Sequence, residues 1–102
     1  MKKDKHITEV VFRNWQSDDF NLIIALFPYE VNRTNNFCLS YEHVGQHSDA
    51  DYIGVIGGTV PAKEKDYYSL KKELESLGYN LKVIKKRNYN RYLKAYYEIR
   101  ND

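Results

Sequence analysis

Apolar residues cluster first between Thr8 and Trp15, where Val10, Val11, Phe12 and Trp15 follow a charged stretch, Met1 to His6. β-Branched and aromatic enrichment of this kind predicts a strand, and residues 1–6 read as a solvated arm before it. Gln16 to Asp19 supplies a polar turn. Phe20 to Phe27 is almost continuously apolar and then meets Pro28, which lacks a backbone donor. That pattern predicts a central strand covered on both faces and stopped at the proline. Asn32 to Asn36 forms a polar loop, after which Phe37, Leu39, Tyr41 and His43 alternate with Cys38, Ser40 and Glu42. A period of two predicts a third strand with one wet face.

Val44 to Gln46 turns the chain around Gly45. Ser48, three residues before Asp51, resembles a capping pair and predicts a short helix through Tyr52, Ile53 and Ile56, ended by Gly57 and Gly58. The strongest helical pattern spans residues 63–77. Tyr67, Leu70, Leu74 and Leu77 fall on one stripe, Lys63, Lys65, Lys72, Glu73 and Glu75 point outward, and Gly78 follows in the position of a left-handed cap. Asn80 to Arg87 reads as a fourth strand, with Leu81 and Val83 on one side. Within residues 88–102, Tyr89, Tyr92, Leu93, Tyr96 and Tyr97 recur at helical intervals and predict a terminal helix. Together these elements predict an α+β fold, a mostly antiparallel sheet of about four strands covered on one face by the 63–77 helix.

The chain has 102 residues, enough for one domain with a modest core. Cys38, the one cysteine, cannot form an intramolecular disulfide and reads as a small apolar residue in a reducing compartment. Leu22 to Phe27 is the longest apolar run, far short of the roughly 20 residues that cross a bilayer. The charged start is not followed by the apolar stretch of a signal peptide, so a cytoplasmic protein without membrane contact is expected.

Charge changes the picture more than composition does. Residues 1–81 carry nine Lys/Arg and twelve Asp/Glu, whereas residues 82–100 carry seven Lys/Arg and one Glu, interleaved with Tyr89, Tyr92, Tyr96 and Tyr97. Cations among aromatic rings suit an anionic partner, with the amines on acidic groups and the rings on exposed bases or apolar patches. The candidate binding residues are Lys85, Lys86, Arg87, Tyr89, Arg91, Tyr92 and Lys94. The same spacing also suits a helix that docks on the sheet or on a second copy, with the cations as its solvated face. Host protein, nucleic acid and a second copy are therefore the partner classes to test. Trp15 and the loop around Arg33 are further exposed candidates without a motif.

Several segments are familiar as a set: Val11-Phe12-Arg13, Ile23-Ile24-Ala25-Leu26-Phe27-Pro28, His43-Val44-Gly45-Gln46-His47-Ser48 with Ala50-Asp51-Tyr52, and Glu73-Leu74 followed by Gly78-Tyr79-Asn80-Leu81-Lys82-Val83. Over roughly residues 10–87 the chain resembles a family of short bacterial proteins carried on phages and other mobile elements. The resemblance implies a genetic setting and brings no mechanism, cofactor or catalytic residue.

His43 and His47, with Ser48, Asp49 and Asp51, form the densest polar cluster. Two imidazoles four residues apart share a face only on a helix, and the zincin pattern needs a Glu directly after the first His, which is absent. No metal or other cofactor is expected, and both histidines join the candidate binding set. His47 with an acidic neighbour could act as a general base, but no nucleophile motif accompanies it. Gly54, Gly57 and Gly58 lack the Lys-Ser/Thr of a phosphate-binding loop. The expected function is a non-enzymatic binding module acting on a host macromolecule through the basic, tyrosine-rich C-terminal surface. The alternatives are a nucleic-acid-binding protein, a counter-defence inhibitor of a host protein, and a metal-dependent or His-based enzyme at His43/His47.

Overall fold

The computed structural model describes residues 6–16, 22–31, 37–42 and 46–100. The α+β class read from the sequence is correct. Six strands form one sheet: β1 (Thr8–Asn14), β2 (Ile23–Val31), β3 (Cys38–Glu42), β4 (Gln46–Ala50), β5 (Val60–Pro61) and β6 (Leu81–Val83). The helices are α1 (Tyr52–Gly58), α2 (Glu64–Ser76) and α3 (Tyr89–Arg100). The strands run in the order β4-β3-β2-β1, all antiparallel, and β1's outer edge is shared. β6 pairs in parallel with Thr8 to Val10, and β5 pairs antiparallel with Arg13 and Asn14.

Two apolar clusters, one on each face, hold the sheet. Val10, Phe12, Ala25, Phe27 and Tyr41 pack with Leu70 and Leu74 of α2, while Val11, Ile24, Leu26, Cys38 and Ala50 pack with Tyr52 and Val55 of α1. Neighbouring residues of β1 and β2 are therefore buried to opposite sides, which is why β2 reads as a continuous apolar run and Val10, Val11 and Phe12 of β1 do not alternate with polar residues. α2 covers one face, as expected. α1 covers the other, and α3 packs against β2.

Four local expectations are corrected. β2 does not stop at Pro28 but continues to Val31, and its pairing with β3 slips between Phe27 and Val31. A residue that cannot donate to the ladder is accommodated by that irregularity. Ser48 does not cap a helix: Gln46 to Ala50 pair with β3, and the residue before α1 is Asp51, which makes no side-chain cap hydrogen bond. The face of β3 expected to be wet is mostly covered: Cys38 and Ser40 are buried and Glu42 alone of the three is exposed, and Ser40 Oγ donates to the Ser48 carbonyl at 2.9 Å. The 80–87 strand shortens to Leu81–Val83. Phe20, the loop 32–36 with Arg33, His43 to Gly45 and the arm before His6 lie outside the described residues.

α2 starts with Glu64 and Asp66 against the positive end of its dipole. It stops at Ser76, so Leu77 leaves the predicted stripe and stands 56% exposed. Gly78 takes φ +109°, its N–H donates to the Glu75 carbonyl at 3.0 Å, and Tyr79 N–H donates to the Leu74 carbonyl at 3.3 Å. This paired capping satisfies two helix-end carbonyls and swings Tyr79 back onto the core.

Arg13 is a buried cation that secures α1. Its Nε donates to Thr59 Oγ1 at 2.9 Å, and its Nη2 donates to the carbonyls of Thr59 at 2.8 Å and Ile56 at 3.1 Å. A guanidinium at a helix C-terminus meets orphan carbonyls and the negative end of the dipole together. Among the described residues, no helix is long and apolar enough to cross a membrane.

Candidate functional site

The C-terminal cations divide into two populations. Arg87 turns inward: its guanidinium lies 4.4 Å from the Tyr52 ring centroid and 3.9 Å from that of Tyr92, and the Arg87 backbone N–H donates to the Tyr52 hydroxyl at 2.8 Å. Arg91 lies 4.4 Å over the Tyr29 ring and is ion-paired with Glu9, while its side chain stays more than half exposed. Asn88 completes the joint. Its N–H donates to the Tyr29 hydroxyl at 2.7 Å, and its side-chain oxygen accepts from Arg91 N–H at 3.0 Å at the start of α3.

These contacts matter because α3 has little apolar anchorage. None of its described side chains is fully buried; Tyr92, Leu93, Ala95 and Tyr96 are half-buried and the rest exposed. A helix of 12 residues is marginal on its own in water, so tertiary contacts must hold it. Cations stacked on rings and tyrosine hydroxyls on backbone donors supply them here. The rings of Tyr89, Tyr92, Tyr96 and Tyr97 run along the helix with successive centroids 6.0, 6.2 and 5.1 Å apart.

The lysines turn outward. Lys82, Lys85, Lys86 and Lys94 are exposed, and among the described residues none makes an ion pair. Asn90, Lys94 and Tyr97 share one helical face by their spacing, whereas Tyr89 lies on another side with its ring beside Tyr92. Tyr89 is 61% and Tyr97 54% exposed. Lys85 also lines an apolar cleft of about 320 Å³ with Phe12, Pro61, Tyr67 and Val83.

His47 stands apart from this surface. It pairs with Tyr41 across β3 and β4, on the α2 face, whereas Arg87 packs on Tyr52 of α1 on the other. Its Nε2 lies 3.0 Å from the Tyr79 hydroxyl, and its ring meets Tyr41 edge-on at 4.6 Å. Tyr79 stacks on Phe27, and its hydroxyl pKa is raised by burial and by the nearby charge of Glu30. Tyr41 donates to Glu73. His47 is thus seated among rings. His43 lies outside the described residues, so the paired-imidazole reading gains no geometry. Among the described residues, no group of three or more His, Cys, Asp or Glu is placed to hold a metal ion. Burial pushes the Cys38 thiol up to about 11, a poor setting for a nucleophile.

Of the sequence candidates, the structure gathers Arg87 and Tyr92 into the joint beneath α3 and places Arg91 beside it on Tyr29. It leaves Lys85, Lys86, Tyr89 and Lys94 outward. Tyr29, Tyr52 and Glu9 complete the joint, and no local pattern marks them because each contacts a residue at least 35 positions away. Trp15 is partly exposed, with its ring against Gly58. Sequence reading also missed a cleft of about 500 Å³ between the start of β2 and α2, walled by Glu42, Lys65, Asp66 and Ser69. No protein-family model matches the chain, and neither a curated protein nor a solved structure matches it.

Proposed function

We propose that this protein is a non-enzymatic binding module that docks an anionic macromolecule of its host on the outward surface of residues 82–97, in a phage or mobile-element setting. One observation carries the reading: Arg87 and Arg91 lie over the rings of Tyr52, Tyr92 and Tyr29 and hold α3, while Lys82, Lys85, Lys86 and Lys94 stay exposed and make no ion pair among the described residues. Exposed amines with no ion pair among the described residues lose little by meeting a new anion, and exposed rings add contact area at low entropic cost.

The test measures binding of labelled single-stranded and duplex oligonucleotides and of a Glu/Asp-rich peptide, at rising salt, to the wild type and to a Lys85→Glu, Lys86→Glu, Lys94→Glu variant. Support is binding of at least one probe that weakens steeply with salt and is lost in the variant. No binding to any probe at low salt, or equal binding by the variant, overturns the proposal. Arg87 is left intact because its loss would loosen α3 itself.

A further inference from the structure

The two edges of the sheet are built differently. On the β1 side the edge is broken into β5, two residues ending in Pro61, and β6, three residues carrying Lys82. Short strands, proline and lysine are the usual devices that keep an edge from pairing with another chain. β4 is five residues long, has neither proline nor lysine, carries Asp49 as its one carboxylate, and has β3 as its one sheet neighbour among the described residues.

We propose that β4 pairs antiparallel with β4 of a second copy, about a two-fold axis at Ser48. The sequence Gln46-His47-Ser48-Asp49-Ala50 is self-complementary in that register. His47 falls opposite the second copy's Asp49, Asp49 opposite its His47, and Ser48 opposite Ser48. His47 and Asp49 lie on the same face, since they pair with Tyr41 and Leu39 of β3. Directly opposed residues place their Cβ atoms about 4.5–5.5 Å apart, close enough for each imidazole to meet a carboxylate. Among the residues of β4, this is the register that sets His47 opposite a carboxylate. The axis stands perpendicular to the sheet, so pairing preserves its faces. Both α3 helices then lie on the same side of a continuous sheet, and two copies of the basic surface point the same way.

The test combines cross-linking with sedimentation, and circular dichroism verifies that each variant folds. Ser48→Cys puts two thiols face to face on the axis, within the Cα separation that disulfides tolerate, whereas Asp49→Cys faces the second copy's His47. Buried Cys38 does not compete. With mild oxidation by diamide, Ser48→Cys is expected to form a covalent dimer and Asp49→Cys to remain monomeric on a denaturing gel. In sedimentation velocity the wild type should dimerise between micromolar and millimolar concentration. His47→Asp, which opposes carboxylates at two symmetric positions, should weaken the dimer by about tenfold. The exchange His47→Asp with Asp49→His should restore it. A wild type that stays monomeric throughout, equal cross-linking of both cysteine variants or of neither, or an unchanged dimer constant in His47→Asp overturns the proposal.

Discussion

Replacing Arg87 and Arg91 together by alanine should free α3 from the sheet while leaving the rest of the molecule folded. Arg87 stacks on two rings and Arg91 on one, and Arg91 also pairs with Glu9. A partly exposed cation–π contact contributes about 1 kcal/mol, so the three sum to about 3 kcal/mol. The ion pair adds about 0.5 kcal/mol, because the arginine end is more than half exposed and screened by water. At 1.4 kcal/mol per tenfold, loss of these contacts raises the open population of α3 by between two and three orders of magnitude. Hydrogen–deuterium exchange reads this directly. Amides of residues 92–97 should lose protection by about that factor in the double variant, while amides of β1, β2 and α2 keep theirs. Arg87→Lys should be intermediate, since an ammonium does not lie flat between two rings. Unchanged exchange in α3 would refute the idea that stacked arginines hold it. Equal loss of protection everywhere would show that α3 belongs to the cooperative core.

Four further outcomes test the scaffold. Arg13→Met leaves the Ile56 and Thr59 carbonyls without their donor, and at about 1–3 kcal/mol per orphaned group the cost is about 3 kcal/mol. Thermal unfolding should then fall by at least about 10 °C, and Arg13→Lys should recover only part of it. Gly78→Ala should cost about 1–2 kcal/mol in urea unfolding from its positive φ alone, since open space surrounds the new methyl. Gly57→Ala, equally uncrowded but helical, should instead stabilise by about 0.5–1 kcal/mol. Cys38 should resist alkylation in the native state until the protein opens. Its thiol pKa is raised from 9.0 to about 11 chiefly by burial, with the Arg87 charge acting weakly the other way. Between those values the unfolded chain releases the proton and the native protein keeps it. Its contribution to stability is therefore full below pH 9 and lost as pH rises toward 11. Alkylation at pH 8 as fast as in the unfolded chain would contradict this burial.

Local periodicity determined much of this molecule. The β1 and β2 runs, the alternation of β3, the α2 stripe with its Gly78 stop and the helical spacing of the C-terminal tyrosines are written in neighbouring residues, because helix and strand geometry repeats over a few positions. The charge split between the body and residues 82–100 was legible for the same reason. Tertiary structure alone decided what those residues do. Gln46 to Ala50 became a strand because β3 offered an edge to pair with, and β2 continued past Pro28 because its partner could slip in register. Rings from β2 and α1 engaged Arg87 and Arg91, while Lys82, Lys85, Lys86 and Lys94 of the same segment were left exposed. Contacts between residues 35 to 82 positions apart depend on how the chain folds back on itself, and no short-range pattern encodes them.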